Sequence, residues 1–117
     1  MEKKYRLRKN REFKYTYKKG RSLGHPLLVM IYLKTNHKEV KIGYSITKKF
    51  GKAVERNRIK RQLREIVRLK LSELKPGYNI IFIVRKDVKG ASYQSLEKAV
   101  NNLLKRADLY KQGDSAQ

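Results

Sequence analysis

Apolar residues recur along this chain in two rhythms, one of about 3.6 residues and one of two, and each switch marks a new element. From Asn10 to Lys19, Phe13 and Tyr17 stand four apart, Asn10 offers a cap and Gly20 a stop, so the spacing predicts a short helix. Leu27 to Lys34 is a dense apolar run that predicts a strand, and a short extra strand is expected around Lys19 to Leu23. From Glu39 to Thr47 the alternation sets Val40, Ile42, Tyr44 and Ile46 on one face and Lys41, Gly43, Ser45 and Thr47 on the other. The polar residues Thr35-Asn36-His37-Lys38 between these two strands predict a hairpin turn.

Gly51 to Leu74 is the longest periodic segment and predicts a long helix that Lys75-Pro76-Gly77 terminates. Tyr78 to Arg85 holds Ile80, Ile81, Phe82, Ile83 and Val84, apolar on both faces, which suits a central strand. Past Gly90, Ser92 can cap a last helix with Leu96, Val100, Leu103, Leu104 and Ala107 in one stripe. The polar tail Lys111 to Gln117 is expected to fray. The order αβββαβα over 117 residues, with no internal repeat or linker, implies a single α/β domain, a two-layer sandwich of one sheet with packed helices.

Charge changes the picture. Lys and Arg number 31 against 10 Asp and Glu, a formal net +21, and the folded surface repels itself unless a polyanion takes up that charge. The charge is interleaved with apolar residues rather than gathered at one end, which argues against a disordered basic tail. The absence of Cys excludes disulfides and thiolate zinc sites, and His25 and His37 are too few for a metal cage. Met1-Glu2-Lys3-Lys4-Tyr5-Arg6 leads into no apolar h-region, and the longest apolar run, Leu27 to Leu33, is far short of the ~20 residues that cross a bilayer. A soluble cytoplasmic protein with no membrane partner is expected.

Set on a helical wheel, Ile59, Leu63, Ile66, Val67 and Leu74 fall to one side of the long helix, and Asn57, Arg61, Arg64 and Arg68 fall to the other with Lys60 beside them. Between Lys48 and Lys70 stand ten basic residues and two acidic ones. Four basics on a helix face are ordinarily solvated charge, but ten in one segment repel one another at a few tenths of a kcal/mol per i,i+4 pair until phosphates oppose them. Lys48, Lys49 and Lys52 precede the helix, whose free N–H groups favour a phosphate. Arg56, Arg58, Arg61, Arg64 and Arg68 add planar forks that grip phosphate or stack on a base.

Phe13 and Tyr17 admit two readings: packing against the sheet, or stacking of unpaired bases beside the small polar face of Lys41, Gly43, Ser45 and Thr47, at ~1–3 kcal/mol per base. No two-helix turn motif, dimerisation heptad or finger spacing points to DNA, and an aromatic groove suits single-stranded RNA better.

The stretch Lys48-Lys49-Phe50-Gly51-Lys52-Ala53-Val54-Glu55-Arg56-Asn57-Arg58-Ile59-Lys60-Arg61 followed by Arg64-Glu65 resembles the signature of the bacterial ribonuclease P protein family, whose core is an Arg-Asn-Arg triplet. Leu7-Arg8-Lys9-Asn10-Arg11-Glu12-Phe13, Gly43-Tyr44-Ser45-Ile46-Thr47-Lys48-Lys49 and the strand from Ile80 to Arg85 are similar too, so the resemblance covers about residues 5 to 110. It implies a mixed sheet with a left-handed crossover, against the usual right-handed rule. It also implies a protein that binds a catalytic RNA subunit, the two together removing the 5′ leader of precursor tRNA by Mg²⁺-dependent hydrolysis, with Mg²⁺ held mainly by the RNA.

Carried over by resemblance, Lys52, Arg56, Asn57, Arg58, Lys60, Arg61, Arg64 and Arg68 face the RNA subunit, and Phe13, Tyr17, Ser45, Lys48 and Lys49 face the leader. Relatives place an aromatic of the first long strand at the leader cleft. Tyr32 is carried over as that contact, with the register between it and Ile31 open. The residues themselves add that a protein nuclease needs clustered carboxylates or paired histidines, whereas the ten acids here are scattered among basics. Three classes are thus distinguished: a subunit of an RNA enzyme with two RNA surfaces, a structural rRNA-binding protein with one, and a self-sufficient nuclease with an acidic pocket.

Overall fold

The run Tyr78–Val84 becomes the middle strand of a four-stranded sheet, as a segment apolar on both faces must. The computed structural model describes residues 3–111, so the expected fraying of 112–117 lies outside the described residues. Within them the elements are α1 (Asn10–Lys19), β1 (Arg21–Gly24), β2 (Leu28–Lys34), β3 (Lys41–Ser45), α2 (Ala53–Arg68), β4 (Tyr78–Val84) and α3 (Tyr93–Arg106). The sheet order is β1-β2-β4-β3, with β3 parallel to β4 and the other pairs antiparallel.

Register sorts the side chains. Met30 pairs with Phe82, Tyr32 and Ile42 both pair with Ile80, and this face carries the core. The stripes of α2 (Ile59, Leu63, Ile66, Val67) and α3 (Leu96, Val100, Leu103, Leu104) close over it. Each fully buried side chain contributes about 1.5–3 kcal/mol. The Ser92 hydroxyl caps α3 by accepting the Ser95 N–H at 3.0 Å, as expected.

The opposite face, Val29, Ile31 and Leu33 beside Asn79, Ile81 and Ile83, then Lys41, Gly43 and Ser45, carries α1, with Leu7 beside it at Gly43. A Cβ on Gly43 would lie 2.7 Å from the Phe13 ring, and one on Gly20 2.8 Å from Ile31 Cγ2. Between these contacts the buried Asn79 amide donates to Thr16 Oγ1 at 3.1 Å, and Thr16 Oγ1 donates to the Glu12 carbonyl at 2.8 Å. Thus α1 crosses from β3 over β4 to β2, seated on Phe13, Thr16 and Gly20.

Three expectations are corrected by the fold. The residues 35–38 do not form a hairpin, because β4 lies between β2 and β3. Instead the loop wraps the turn before β4: Thr35 N–H donates to the Gly77 carbonyl at 2.7 Å and Gly77 N–H to that of Glu39 at 3.1 Å, with Gly77 at φ +82° where a side chain would be strained. The long helix runs from Ala53 to Arg68 rather than from Gly51 to Leu74, since Leu69 falls off the buried stripe at 55% exposure and a 3-10 turn, Leu71–Glu73, returns Leu74 to the core. Asn10 is the first helical residue rather than the cap of α1, and the Glu12 carboxylate takes the Lys9 N–H at 3.4 Å.

Candidate nucleic-acid interface

The loop leading into α2 is built before the helix can present anything. Phe50 sinks into the core and anchors the 3-10 turn Lys48–Phe50, which leaves Lys48 and Lys49 exposed. Arg56 Nη1 donates to the Gly51 carbonyl at 2.6 Å and to that of Lys48 at 3.4 Å, so this arginine fastens the loop to the helix. The Glu55 carboxylate accepts the Lys52 N–H at 3.1 Å and sits at the positive end of the helix dipole. One donor expected to be open to phosphate is therefore satisfied internally.

Beyond that first turn, Asn57, Arg58, Arg61 and Arg64 are exposed on the side away from the core, and Lys60 is half-buried at the flank. Arg68 is different: its Nε and Nη2 donate to both Glu65 oxygens, at 3.1 and 2.7 Å, and this pair holds the Glu65 carboxyl below its usual range. The unopposed cationic stretch is thus Arg58 to Arg64. Arg56 is spent on the loop and Arg68 on Glu65, roles that the charge pattern alone does not reveal.

The second surface lies on the α1 face. Because α1 sits over the Gly43, Ile81 and Ile31 row, the next row of the register, Ser45, Ile83 and Val29, is left half-buried with no helix above it. That row runs beside α1 as partly exposed sheet. On its α1 side stand Phe13, half-buried, and Tyr17, 41% exposed, with ring centroids 6.4 Å apart and planes at 35°. At the β3 end stand Lys48 and Lys49. Of the first-helix aromatics, Phe13 packs on Gly43, and Tyr17 exposes its ring to solvent.

Tyr32 does not join them, and its expected place on the face of the first-helix aromatics is corrected. It pairs with Arg21 and Ile80 on the core face, where it packs against the α2 and α3 layer, so strand alternation sets it on the wrong side of the sheet. Ile31 occupies the α1 face instead.

The sequence model of the family described as Ribonuclease P matches residues 1–108. The chain belongs to that family. It is 46% identical to the "Ribonuclease P protein component" of Clostridium kluyveri, over 92% of this chain and 97% of that protein. Against the protein of the same description from Clostridioides difficile it is 40% identical over 88% and 91%. Among solved structures, a Staphylococcus aureus RNase P protein mutant "with defective mRNA degradation activity" superposes at a TM-score of 0.88 with 33% identity, covering 94% of this chain and 93% of that one. The RNase P protein from Thermotoga maritima gives 0.80 at 32% identity, covering 92% and 98%. The α/β fold with its mixed sheet matches theirs, and the protein is a component of ribonuclease P, the ribonucleoprotein nuclease of tRNA processing.

Proposed function

We propose that α2 and its preceding loop bind the catalytic RNA subunit of ribonuclease P, through Lys52, Asn57, Arg58, Lys60, Arg61 and Arg64, with Arg56 holding the loop in shape and Arg68 at the margin. The surface formed by Phe13, Tyr17 and Ser45, with Lys48 and Lys49 at its end, holds the 5′ leader of precursor tRNA. The observation that carries this reading is the presence of two surfaces of different chemistry on opposite layers of one sheet: a guanidinium stripe suited to structured RNA, and an aromatic surface suited to an unpaired strand. A structural rRNA-binding protein needs only the first.

Hydrolysis is assigned to the RNA, which carries the Mg²⁺ ions. Among the described residues no three acids or histidines gather into a metal-holding group: Glu12 pairs with Lys41, Glu65 with Arg68, Glu97 with Lys70 and Asp108 with Lys75, and Glu55 caps α2. The protein's share of the work is to bind, to orient the leader and to neutralise phosphate charge. The cytoplasm is the compartment proposed for it, and among the described residues no helix is long and apolar enough to cross a membrane.

Purified protein with precursor tRNA and Mg²⁺ is expected to give no mature 5′ end, and cleavage appears when the catalytic RNA is added. Robust cutting by the protein alone would reverse the assignment. In the reconstituted enzyme, Phe13→Ala with Tyr17→Ala is expected to weaken binding of precursor but not of mature tRNA, by about 10-fold to 100-fold for the removal of one or two base stacks. Equal weakening of both, measured on leaders of increasing length, would place the aromatics in packing alone.

A further inference from the structure

Before α1 begins, Arg6 and Leu7 lie along the outer edge of β3: Arg6 bridges to Ile42 in parallel, and Leu7 N–H donates to the Ile42 carbonyl at 2.9 Å. This strap covers part of the β3 edge, one of the two edges of the sheet. Where it passes α2 a cavity of about 140 Å³ remains, lined by Arg6 and Arg8 of the strap, Lys60 and Arg64 of α2, and Tyr44 of β3. No acidic side chain is among the described residues that line it. The volume is well short of the roughly 300–1,000 Å³ of sites that take drug-sized molecules, and suits a small group.

Two features of this cavity have no explanation in the fold. Four cationic side chains from two separate elements line it with no acid among them, Glu12 lying instead on the neighbouring hollow with Arg6 and Arg8, and like charges so placed repel one another. The Tyr44 hydroxyl is buried with no hydrogen-bond partner among the described residues, although its ring is held by stacking on Phe82 at 6.3 Å and 20°. Burial pushes this phenol above its ordinary range, so it stays protonated and is a donor, while the charges of Arg64 and Arg6 reach it. A buried donor among guanidinium groups lacks one thing, an anionic oxygen acceptor. Arg6 and Arg64 are both exposed, long side chains that can part to admit it.

We propose that this cavity is a phosphoryl-binding site in which the Tyr44 hydroxyl donates to a phosphoryl oxygen while Arg6, Arg8, Lys60 and Arg64 neutralise its charge, and that filling it fastens the strap to α2. The phosphoryl group comes from the RNA backbone or from free phosphate. Only the first source rests on the reading of α2 as the RNA-subunit surface.

The experiment titrates inorganic phosphate against chloride at constant ionic strength and reads the thermal midpoint of the wild-type protein, Tyr44→Phe and Arg6→Gln. Wild type shows a saturable rise. In Tyr44→Phe half-saturation moves to about tenfold to hundredfold higher phosphate, the loss of one charge-assisted hydrogen bond. Its midpoint in chloride stays the same or rises, because the change removes an unpaired hydroxyl and keeps the ring, and Arg6→Gln shifts half-saturation in the same direction. Affinity for the catalytic RNA then separates the sources. A loss in Tyr44→Phe of similar size identifies an RNA phosphate, whereas unchanged RNA affinity beside a shifted phosphate curve identifies free phosphate. Equal half-saturation in all three proteins overturns the site, and does so even where reconstituted cleavage is intact.

Discussion

Replacing Arg58, Arg61 and Arg64 together with alanine lowers affinity for the ribonuclease P RNA by about 100-fold, at roughly 1 kcal/mol for each arginine–phosphate hydrogen bond removed. The same triple variant flattens the log–log dependence of affinity on salt by about two to three units, since each neutralised phosphate releases most of one counterion. These three are chosen because they are exposed and have no acidic partner on α2. Arg68→Ala is the internal control: its guanidinium is already engaged by both oxygens of Glu65, so its removal changes the slope least. Filter binding or calorimetry over a salt series reads both quantities. A triple variant with the wild-type slope would mean that the stripe is merely solvated.

The second large effect comes from a residue with no side chain. Gly43→Val places a Cβ where Phe13 ring atoms lie 2.7 Å away and Leu7 Cβ 3.3 Å away, so the ring must leave its seat. Valine itself suits a strand, and the expected cost of about 1–3 kcal/mol is overpacking against α1. That lowers the thermal midpoint by roughly 4–12 °C in a domain of this size. Leader binding falls with it, because the displaced ring forms one side of the leader surface. A double-mutant cycle with Phe13→Ala isolates the cause: once the ring is gone, Gly43→Val is expected to cost much less. A penalty unchanged by Phe13→Ala would place the strain in the strand backbone and not in the packing of helix on sheet.

What the residues disclosed and what they withheld divide along physical lines. The apolar pattern found the three α-helices and β2, β3 and β4, because burial of a stripe is a local demand: Ile59, Leu63, Ile66 and Val67 are buried as their spacing requires. Double-sided apolarity likewise put β4 in the middle of the sheet. The false hairpin between β2 and β3 shows the limit, since adjacency in sequence says nothing of a strand that arrives later and inserts between them. Tyr32 marks a second limit: two neighbouring large residues in an unbroken apolar run leave the facing undecided until pairing with β1 and β4 fixes it. At the site, charge counting identified α2 but gave its arginines equal weight. Arg56 and Arg68 differ from the rest only through their hydrogen bonds to Gly51 and Glu65, and no composition signal carries those. Thr16 was passed over for its aromatic neighbours, yet with Asn79 it supplies the buried polar tie of α1.

The late arrival of β4 also governs how the molecule is made. A ribosome releases β2, β3 and α2 before Tyr78 emerges, and until then the two strands have no edge to share and the α2 stripe has no floor to cover. The nascent chain can pair β1 with β2 at once, but β3 and α2 wait for the segment that unites the sheet. Closure of the sheet is therefore postponed until β4 arrives, and any stop before Val84 leaves a polycation with bare strand edges.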